Sequence, residues 1–133
     1  MKQLKGYIFS RAFMGERVPQ HVQNLVIRDY CQKNGYQYLL SGTEYAMEGC
    51  HLVFEQLLDE IQEYDGIALY SLFQLPESSE DREVIYHKVL DLNKSLHFSV
   101  ESLSIQSLSH LDRIERIWNV KKTIPTSFLS INS

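Results

Sequence analysis

Residues 66–72 read Gly-Ile-Ala-Leu-Tyr-Ser-Leu and form the most continuous apolar run of the chain. Asp65 precedes the run and Pro76 follows it, so turn-forming residues bound it on both sides. A short apolar run bounded in this way is typical of a strand that is covered on both faces. We therefore predict a central β-strand at residues 66–72.

Strand-like and helix-like segments alternate on both sides of this central strand. The predicted strands are residues 4–10, 36–41, 66–72 and 96–100. The predicted helices are residues 18–34, 49–63, a third that starts at Ser78 or Ser79, and 107–120. This order indicates an α/β fold, with a mostly parallel sheet of four to five strands and helices on both faces. Residues 1–122 form one domain, and residues 123–133 form a C-terminal tail.

Composition limits the partners of this domain. The net charge is −4, and the 13 basic residues are scattered rather than clustered, so we expect no nucleic-acid partner. No apolar stretch approaches the roughly 20 residues that span a bilayer, so we expect no membrane insertion. The two cysteines, Cys31 and Cys50, lie in predicted helices and are expected to be reduced, which favours a cytoplasmic location.

The carboxyl ends of parallel strands are where ligands bind in such sheets. After the first strand, Ser10, Arg11, Glu16 and Arg17 come just before a helix N-terminus, which favours anions. The two arginines would hold a phosphate or carboxylate there. The alternative is that they pair with acidic side chains and brace the loop.

Three residues are candidates for proton transfer. His21 lies one turn into the first helix and would act as a general acid or base, unless it is simply exposed. Glu44 and Glu101 follow the second and fourth strands and would form an acid–base pair if they converge. The neighbouring loops add three candidate ligand contacts: Tyr45, Ser71 and Gln74.

Metal and cofactor signals are weak. Cys50 and His51 are adjacent and would not face one point on a helix, and the other histidines lack ligand spacing. No glycine-rich phosphate loop or dinucleotide fingerprint occurs. We predict neither a metal site nor a cofactor.

Residues 6–11, Gly-Tyr-Ile-Phe-Ser-Arg, resemble the Tyr-x-Arg-x-Ser opening strand of serine recombinases and resolvases. The resemblance continues through Asn34-Gly35, Ser41-Gly42 and Asp65-Gly66, and covers about residues 4 to 102. It implies a resolvase-like fold with a flavodoxin-like strand order.

The resemblance does not extend to the recombinase active site. The family's strand arginine falls on Phe9, and its serine nucleophile falls on Arg11, one residue after Ser10. Its second-loop arginine falls near Met47, and residues 72–77 lack its aspartate and both arginines. Those arginines stabilise the phosphoryl transition state. An inactive recombinase relative that regulates DNA is therefore only a remote alternative.

A more specific resemblance is to the sporadic carbohydrate cluster proteins, small bacterial proteins of surface-polysaccharide gene clusters. Residues 10–24, 27–31, 43–48 and 69–76 carry it. It implies a role in the biosynthesis of surface polysaccharide or lipopolysaccharide sugars, and it transfers no set of catalytic residues.

Two functions follow as hypotheses. In the first, the chain binds or converts a phosphorylated or nucleotide-linked sugar. The arginines then hold phosphate, the proton-transfer candidates handle protons, and Tyr45, Ser71 and Gln74 bond sugar hydroxyls.

In the second, the chain is a non-catalytic module that binds an enzyme of the same pathway. Four large apolar residues in predicted loops motivate it: Phe13, Met14, Phe73 and Leu75. They would equally serve as the domain's own lid. The last helix, with Ile114, Ile117 and Trp118, either docks on its own sheet or pairs with a second copy as a homodimer.

Overall fold

The computed structural model describes residues 1–123 and contains one five-stranded sheet. The strands are β1 (Gln3–Phe9), β2 (Gln37–Glu44), β3 (Gly66–Leu69), β4 (Ser95–Phe98) and β5 (Leu103–Ile105). Their spatial order is β2-β1-β3-β4-β5, with the first four parallel. This confirms the predicted α/β fold and its flavodoxin-like order.

β5 is antiparallel to β4, because only a short turn joins the two strands. Ser102 adopts a positive φ of 53° in that turn, and its N–H donates to the Ser99 carbonyl. The sequence prediction ended at the fourth strand and allowed for a fifth without placing it.

Helices cover both faces of the sheet. They are α1 (Gln20–Lys33), α2 (Leu52–Asp59), α3 (Ser79–Asp91) and α4 (Leu111–Thr123). α1 packs on one face through Ile27, Tyr30 and Cys31, and residues of the other three helices join the larger core on the opposite face. Of the two serines considered for the start of α3, Ser78 caps it, because its Oγ accepts the Asp81 N–H. β3 lies between the two cores and is buried throughout, as expected.

β2 is longer than predicted, and this moves one candidate residue. It extends to Glu44, which pairs with Phe9 at the end of β1. The register shifts between Lys5 and Tyr7, where a Cβ on Gly6 would lie 2.1 Å from the Ser41 Oγ. Only glycine permits this close approach. Glu44 is therefore the last residue of a strand and not part of a loop.

α2 is shorter than the predicted helix at residues 49–63. It begins at Leu52 and is followed by a separate 3₁₀ turn at Ile61–Glu63. Cys50 therefore lies in the β2–α2 loop, contrary to the expectation that it is helical. Both cysteines are free thiols, and Cys31 is buried in α1.

α4 docks on its own domain, which is one of the two arrangements considered for it. Ile114 and Trp118 are each 1% exposed. Buried Arg82 of α3 makes a two-pronged ion pair with Glu115, with its Nε 2.9 Å and its Nη2 2.8 Å from the two carboxylate oxygens. The predicted tail lies outside the described residues except for Thr123. Within residues 1–123, no helix is long and apolar enough to cross a membrane.

Candidate functional site at the carboxyl edge of the sheet

Glu44 is buried at the end of β2, beneath the N-terminus of α2, and is 1% exposed. Its carboxylate accepts four hydrogen bonds of 2.8–3.2 Å, from the Tyr7 hydroxyl and from the N–H groups of Tyr45, Val53 and Phe54. The last two N–H groups belong to the first turn of α2, which has no intrahelical partner for them. Glu44 therefore caps the helix from a neighbouring strand.

These bonds fix the charge of Glu44. Burial alone would raise its pKa, but the N–H of Val53 and the hydroxyl of Tyr7 lead a set of donors that together hold the pKa below its usual value. Burial, followed by the bond to Glu44, raises the pKa of Tyr7. Glu44 is thus a structural group that is ionised near neutral pH and whose lone pairs are occupied.

The Glu101 carboxylate also accepts hydrogen bonds from neighbouring residues of the domain. Its Oε2 accepts the Ser71 hydroxyl at 2.8 Å and its Oε1 accepts the Leu72 N–H at 2.9 Å. The Ser71 oxygen in turn accepts the Phe73 N–H. Glu44 and Glu101 therefore secure two different loops, and the structure does not join them as the acid–base pair considered from the sequence.

A buried pair of amides joins three elements at the same edge. The Gln23 Oε1 accepts the Phe9 N–H at 2.9 Å and the Gln74 amide at 3.0 Å. The Gln23 amide donates to the Phe9 and Val18 carbonyls. The Gln74 Oε1 accepts the Ser71 N–H, which completes a capping box around the 3₁₀ turn Leu72–Gln74. Gln74 was proposed as a ligand contact. It is 0% exposed, and both ends of its amide are hydrogen-bonded within the chain.

Gln23 was missed by the sequence reading, although a signal for it exists. It precedes Ile27 by four residues and Tyr30 by seven, so it lies on the buried stripe of α1. A polar residue on such a stripe requires buried partners.

Arg11 and Ser10 brace the β2–α2 loop. The Ser10 hydroxyl donates to the Glu44 carbonyl at 2.6 Å, and the Arg11 Nη1 donates to the carbonyls of Tyr45 and Cys50 at 3.1 and 2.9 Å. The Arg11 guanidinium also lies 4.0 Å from the centre of the Phe9 ring. Arg11 therefore braces the loop through carbonyls and not through the carboxylates considered from the sequence. Its Nε and Nη2 have no hydrogen-bond acceptor among residues 1–123.

The remaining candidates are spread over the surface. Glu16, Arg17, His21 and Tyr45 are exposed, and none of their side chains forms an ion pair within the described part of the chain. Arg17 and His21 line neither of the two cavities found near this edge. Arg11 and Arg17 are thus not joined in one anion site.

A groove of about 1070 Å³ opens beside this edge, between α2 and α3. Of the candidate residues, only Arg11 lines it. Three exposed apolar side chains border it, namely Met14, Leu52 and Val84, which are 51%, 53% and 69% exposed. The charged residues that line it with Arg11 are Glu48, Glu55, Asp59, Glu77, Asp81, Lys88 and Lys121.

Of the four large apolar residues predicted in loops, some cover the domain's own core and one is exposed. Phe13 packs against Phe9 with ring centres 5.4 Å apart, Phe73 packs against Trp118 at 5.2 Å, and Leu75 is 2% exposed. Met14 alone remains open, at a positive φ of 56° in a tight turn. Three of them therefore close over the domain's own core.

His51 is a further groove residue that the sequence reading did not select as a ligand contact. It stands just before α2, and its Nε2 lies 2.9 Å from the Gln74 carbonyl. Across residues 1–123, no cluster of three or more histidine, cysteine, aspartate or glutamate side chains could hold a metal ion.

The fold and the polar edge together define a resolvase-like α/β domain. Phe9 is buried and packs on Phe13 at the position where serine recombinases, by the resemblance described above, carry an arginine. The comparisons with solved structures agree with this class. The chain is similar to the N-terminal catalytic domain of TP901-1 integrase (19% identity, TM-score 0.57), over 89% of this chain and 94% of that one. It is also similar to a resolvase family site-specific recombinase from Streptococcus pneumoniae (10% identity, TM-score 0.63), over 90% and 88% of the two chains.

These likenesses show the fold alone. Comparison with protein-family models and with curated proteins gave no match. The resolvase-like fold is thus confirmed, whereas the resemblance to sporadic carbohydrate cluster proteins stays a prediction.

Proposed function

We propose that this chain is a cytoplasmic, non-catalytic binding domain that acts in the biosynthesis of bacterial surface-polysaccharide sugars. In this function it holds an enzyme of that process through the groove between α2 and α3. The observation that carries the proposal is that Glu44 and Glu101, the carboxylates best placed for chemistry, both accept hydrogen bonds from the chain's own backbone. The resemblance of residues 10–24, 27–31, 43–48 and 69–76 supports the biological setting.

Energetics support a binding role over a catalytic one. A general acid or base has to exchange a proton with a substrate within hydrogen-bond reach. Glu44 would have to release bonds to buried N–H groups to do so, at a cost of about 1–3 kcal/mol for each donor left without a partner. The groove, by contrast, presents Met14, Leu52 and Val84 to solvent without such internal ties.

Co-purification tests this function. The tagged full-length chain is expressed together with the enzymes of a surface-polysaccharide gene cluster, and recovered proteins are identified by mass spectrometry. We expect a sugar-biosynthesis enzyme to be recovered with the wild type and with Leu25→Gln, but not with the double variant Leu52→Gln/Val84→Gln. Leu25 is a matched control because it is 57% exposed on α1 and lines neither cavity. If no such enzyme is recovered with the wild type, the proposal fails.

A second candidate is the binding of a phosphorylated sugar, a nucleotide-linked sugar included, beside Arg11. It is favoured by the Arg11 guanidinium, which lines the groove and has two nitrogens without a described acceptor. Such a guanidinium suits a phosphate. Calorimetry with hexose phosphates and nucleotide sugars checks it. Arg11→Lys should weaken binding at least tenfold, whereas the exposed control Arg17→Lys should not change it. If the wild type gives no heat of binding, this second candidate function fails.

A further inference from the structure

The geometry points to a partner of particular chemistry, a helical segment that carries an apolar stripe flanked by lysines and arginines. This inference rests on the proposed function and specifies what the groove recognises. An amphipathic helix lying in a groove is a recurring mode of protein recognition, in which residues spaced i, i+3/i+4 and i+7 provide the anchors.

Both walls of the groove are helix faces that present side chains toward it at helical spacing. α2 contributes Leu52, Glu55 and Asp59, and α3 contributes Asp81, Val84 and Lys88. Within each set the residues are three or four positions apart, so each set lies along one face of its helix. Each helix therefore places one apolar side chain beside acidic ones on the ridge that borders the groove, and α3 adds the basic Lys88.

The exposed apolar residues that border the groove, Leu52 and Val84, are not part of the hydrophobic core. Leu52 and Val84 are 53% and 69% exposed, whereas Phe54 and Ile85, their neighbours on the same helices, are 1% and 8% exposed and complete the core. Grouped exposed apolar side chains with a polar rim mark interaction sites in soluble proteins. Met14 extends this patch from the β1–α1 loop.

The rim around the patch carries carboxylates that form no close ion pair in the described part of the chain. Among the described residues, no ion pair within 4.0 Å involves Glu48, Glu55, Glu77 or Asp81. Asp59 differs, because the Lys88 Nζ lies 2.7 Å from its carboxylate.

The groove's cations are fewer than its carboxylates, since three basic and five acidic side chains line it. Arg11 donates to two carbonyls, and the Lys121 Nζ lies 5.0 Å from the Phe73 ring centre and 4.8 Å from that of Trp118. The net charge of the groove lining is therefore negative, and its electrostatic complement is a cationic segment.

A second copy of this chain fits the groove poorly. Its last helix carries basic residues, but the apolar stripe of that helix is buried, since Ile114 and Trp118 are each 1% exposed. The exposed face of α1 offers Leu25 and Arg28, together with Asp29, which would add another negative charge. The partner is therefore a different protein.

Selection from a library of displayed helical peptides tests this inference. The full-length chain is the target, and clones that bind Leu52→Gln/Val84→Gln are removed. We expect the enriched peptides to be net positive, with apolar residues at helical spacing. Their dissociation constants, measured by fluorescence anisotropy, should rise at least tenfold with Leu52→Gln/Val84→Gln and with Glu55→Gln/Asp81→Asn, but not with Leu25→Gln. Added salt should weaken binding further, because charged rims are screened.

The other outcomes of these two experiments separate an error in the inferred partner from an error in the proposed function. Enriched peptides that are neutral or acidic, or the absence of enrichment, would overturn the inference about the partner's chemistry, even if co-purification still recovers a groove-dependent enzyme. Cationic helices without any recovered sugar-biosynthesis enzyme would support this inference and overturn the proposed function. A doubled mass in light scattering that is lost in Leu52→Gln/Val84→Gln would show that a second copy occupies the groove and would overturn the inference.

Discussion

The carboxyl edge of the sheet and the groove between α2 and α3 lie side by side, yet they treat polar groups in opposite ways. At the edge, Glu44, Glu101 and Gln74 direct their oxygens toward N–H groups of the same chain. In the groove, Glu48 and Glu55 have no ion-pair partner in the described part of the chain.

The contrast between edge and groove indicates where on this domain a ligand can bind. Buried polar groups are nearly always paired, and once paired they are expensive to release. A polar cluster that stabilises three loops is therefore poorly suited to exchanging protons. Surface groups that stabilise nothing are free to bind a partner.

Replacement of Glu44 by alanine should destabilise the fold more than any other substitution considered for the edge or the groove. It leaves the Tyr7 hydroxyl and the N–H groups of Val53 and Phe54 without an acceptor. We expect a loss of about 4 kcal/mol in the free energy of unfolding, measured by urea denaturation. Exposed Glu48→Ala is the control and should change stability by no more than about 0.5 kcal/mol. Equal stability of the two variants would mean that Glu44 is not a brace and is available for chemistry.

Buried His97 gives the fold a sensitivity to acid that does not depend on the carboxylates of the edge. It is 1% exposed in β4, and its ring nitrogens lie 2.8 Å from the Tyr30 and Ser95 hydroxyls. Burial, followed by the charge of Lys2, lowers its pKa from 6.5 to about 4.

As the pH falls below 6.5, the unfolded chain therefore takes up a proton that the folded chain refuses until about pH 4. Stability should fall by about 3 kcal/mol over this window, followed by urea denaturation at several pH values. His97→Asn should flatten the slope, and exposed His21→Asn should keep it. Glu44 adds its own loss only below its ordinary pKa of 4.5. A slope unchanged in His97→Asn would contradict this assignment.

The amide pair at the edge allows a finer test. Gln23→Leu and Gln74→Leu each remove a buried partner, and each should destabilise the fold by about 2 kcal/mol. Because the two amides share a 3.0 Å bond, the double variant should lose about 1 kcal/mol less than the sum of the single losses. Strict additivity in urea denaturation would show that the two loops are held independently.

The sequence predicts the fold well because periodicity and strand order are local signals. The run at residues 66–72 indicates β3, and the alternation around it indicates the parallel sheet. The length of β2 is not predictable in this way, because Glu44 belongs to the strand only through its pairing with Phe9.

The candidate site is harder to predict than the fold. Residue type marks Glu44 and Glu101 as chemically capable, but most of their hydrogen-bond partners lie 9 to 37 positions away along the chain. The groove has no motif at all. Leu52 and Val84 look like ordinary helix residues until the packing of α2 and α3 leaves them exposed.

Substitutions in the groove should change the free energy of unfolding least. Leu52→Gln/Val84→Gln changes two side chains that are more than half exposed and make no polar contact within residues 1–123. Surface substitutions of this kind usually alter stability by no more than about 0.5 kcal/mol each, and removal of exposed apolar area should not weaken the core. The variant should therefore unfold at nearly the same urea concentration as the wild type while losing its partner. A loss of several kcal/mol, comparable to that of Glu44→Ala, would show that the groove stabilises the fold as the edge does, and the distinction between the two regions would disappear.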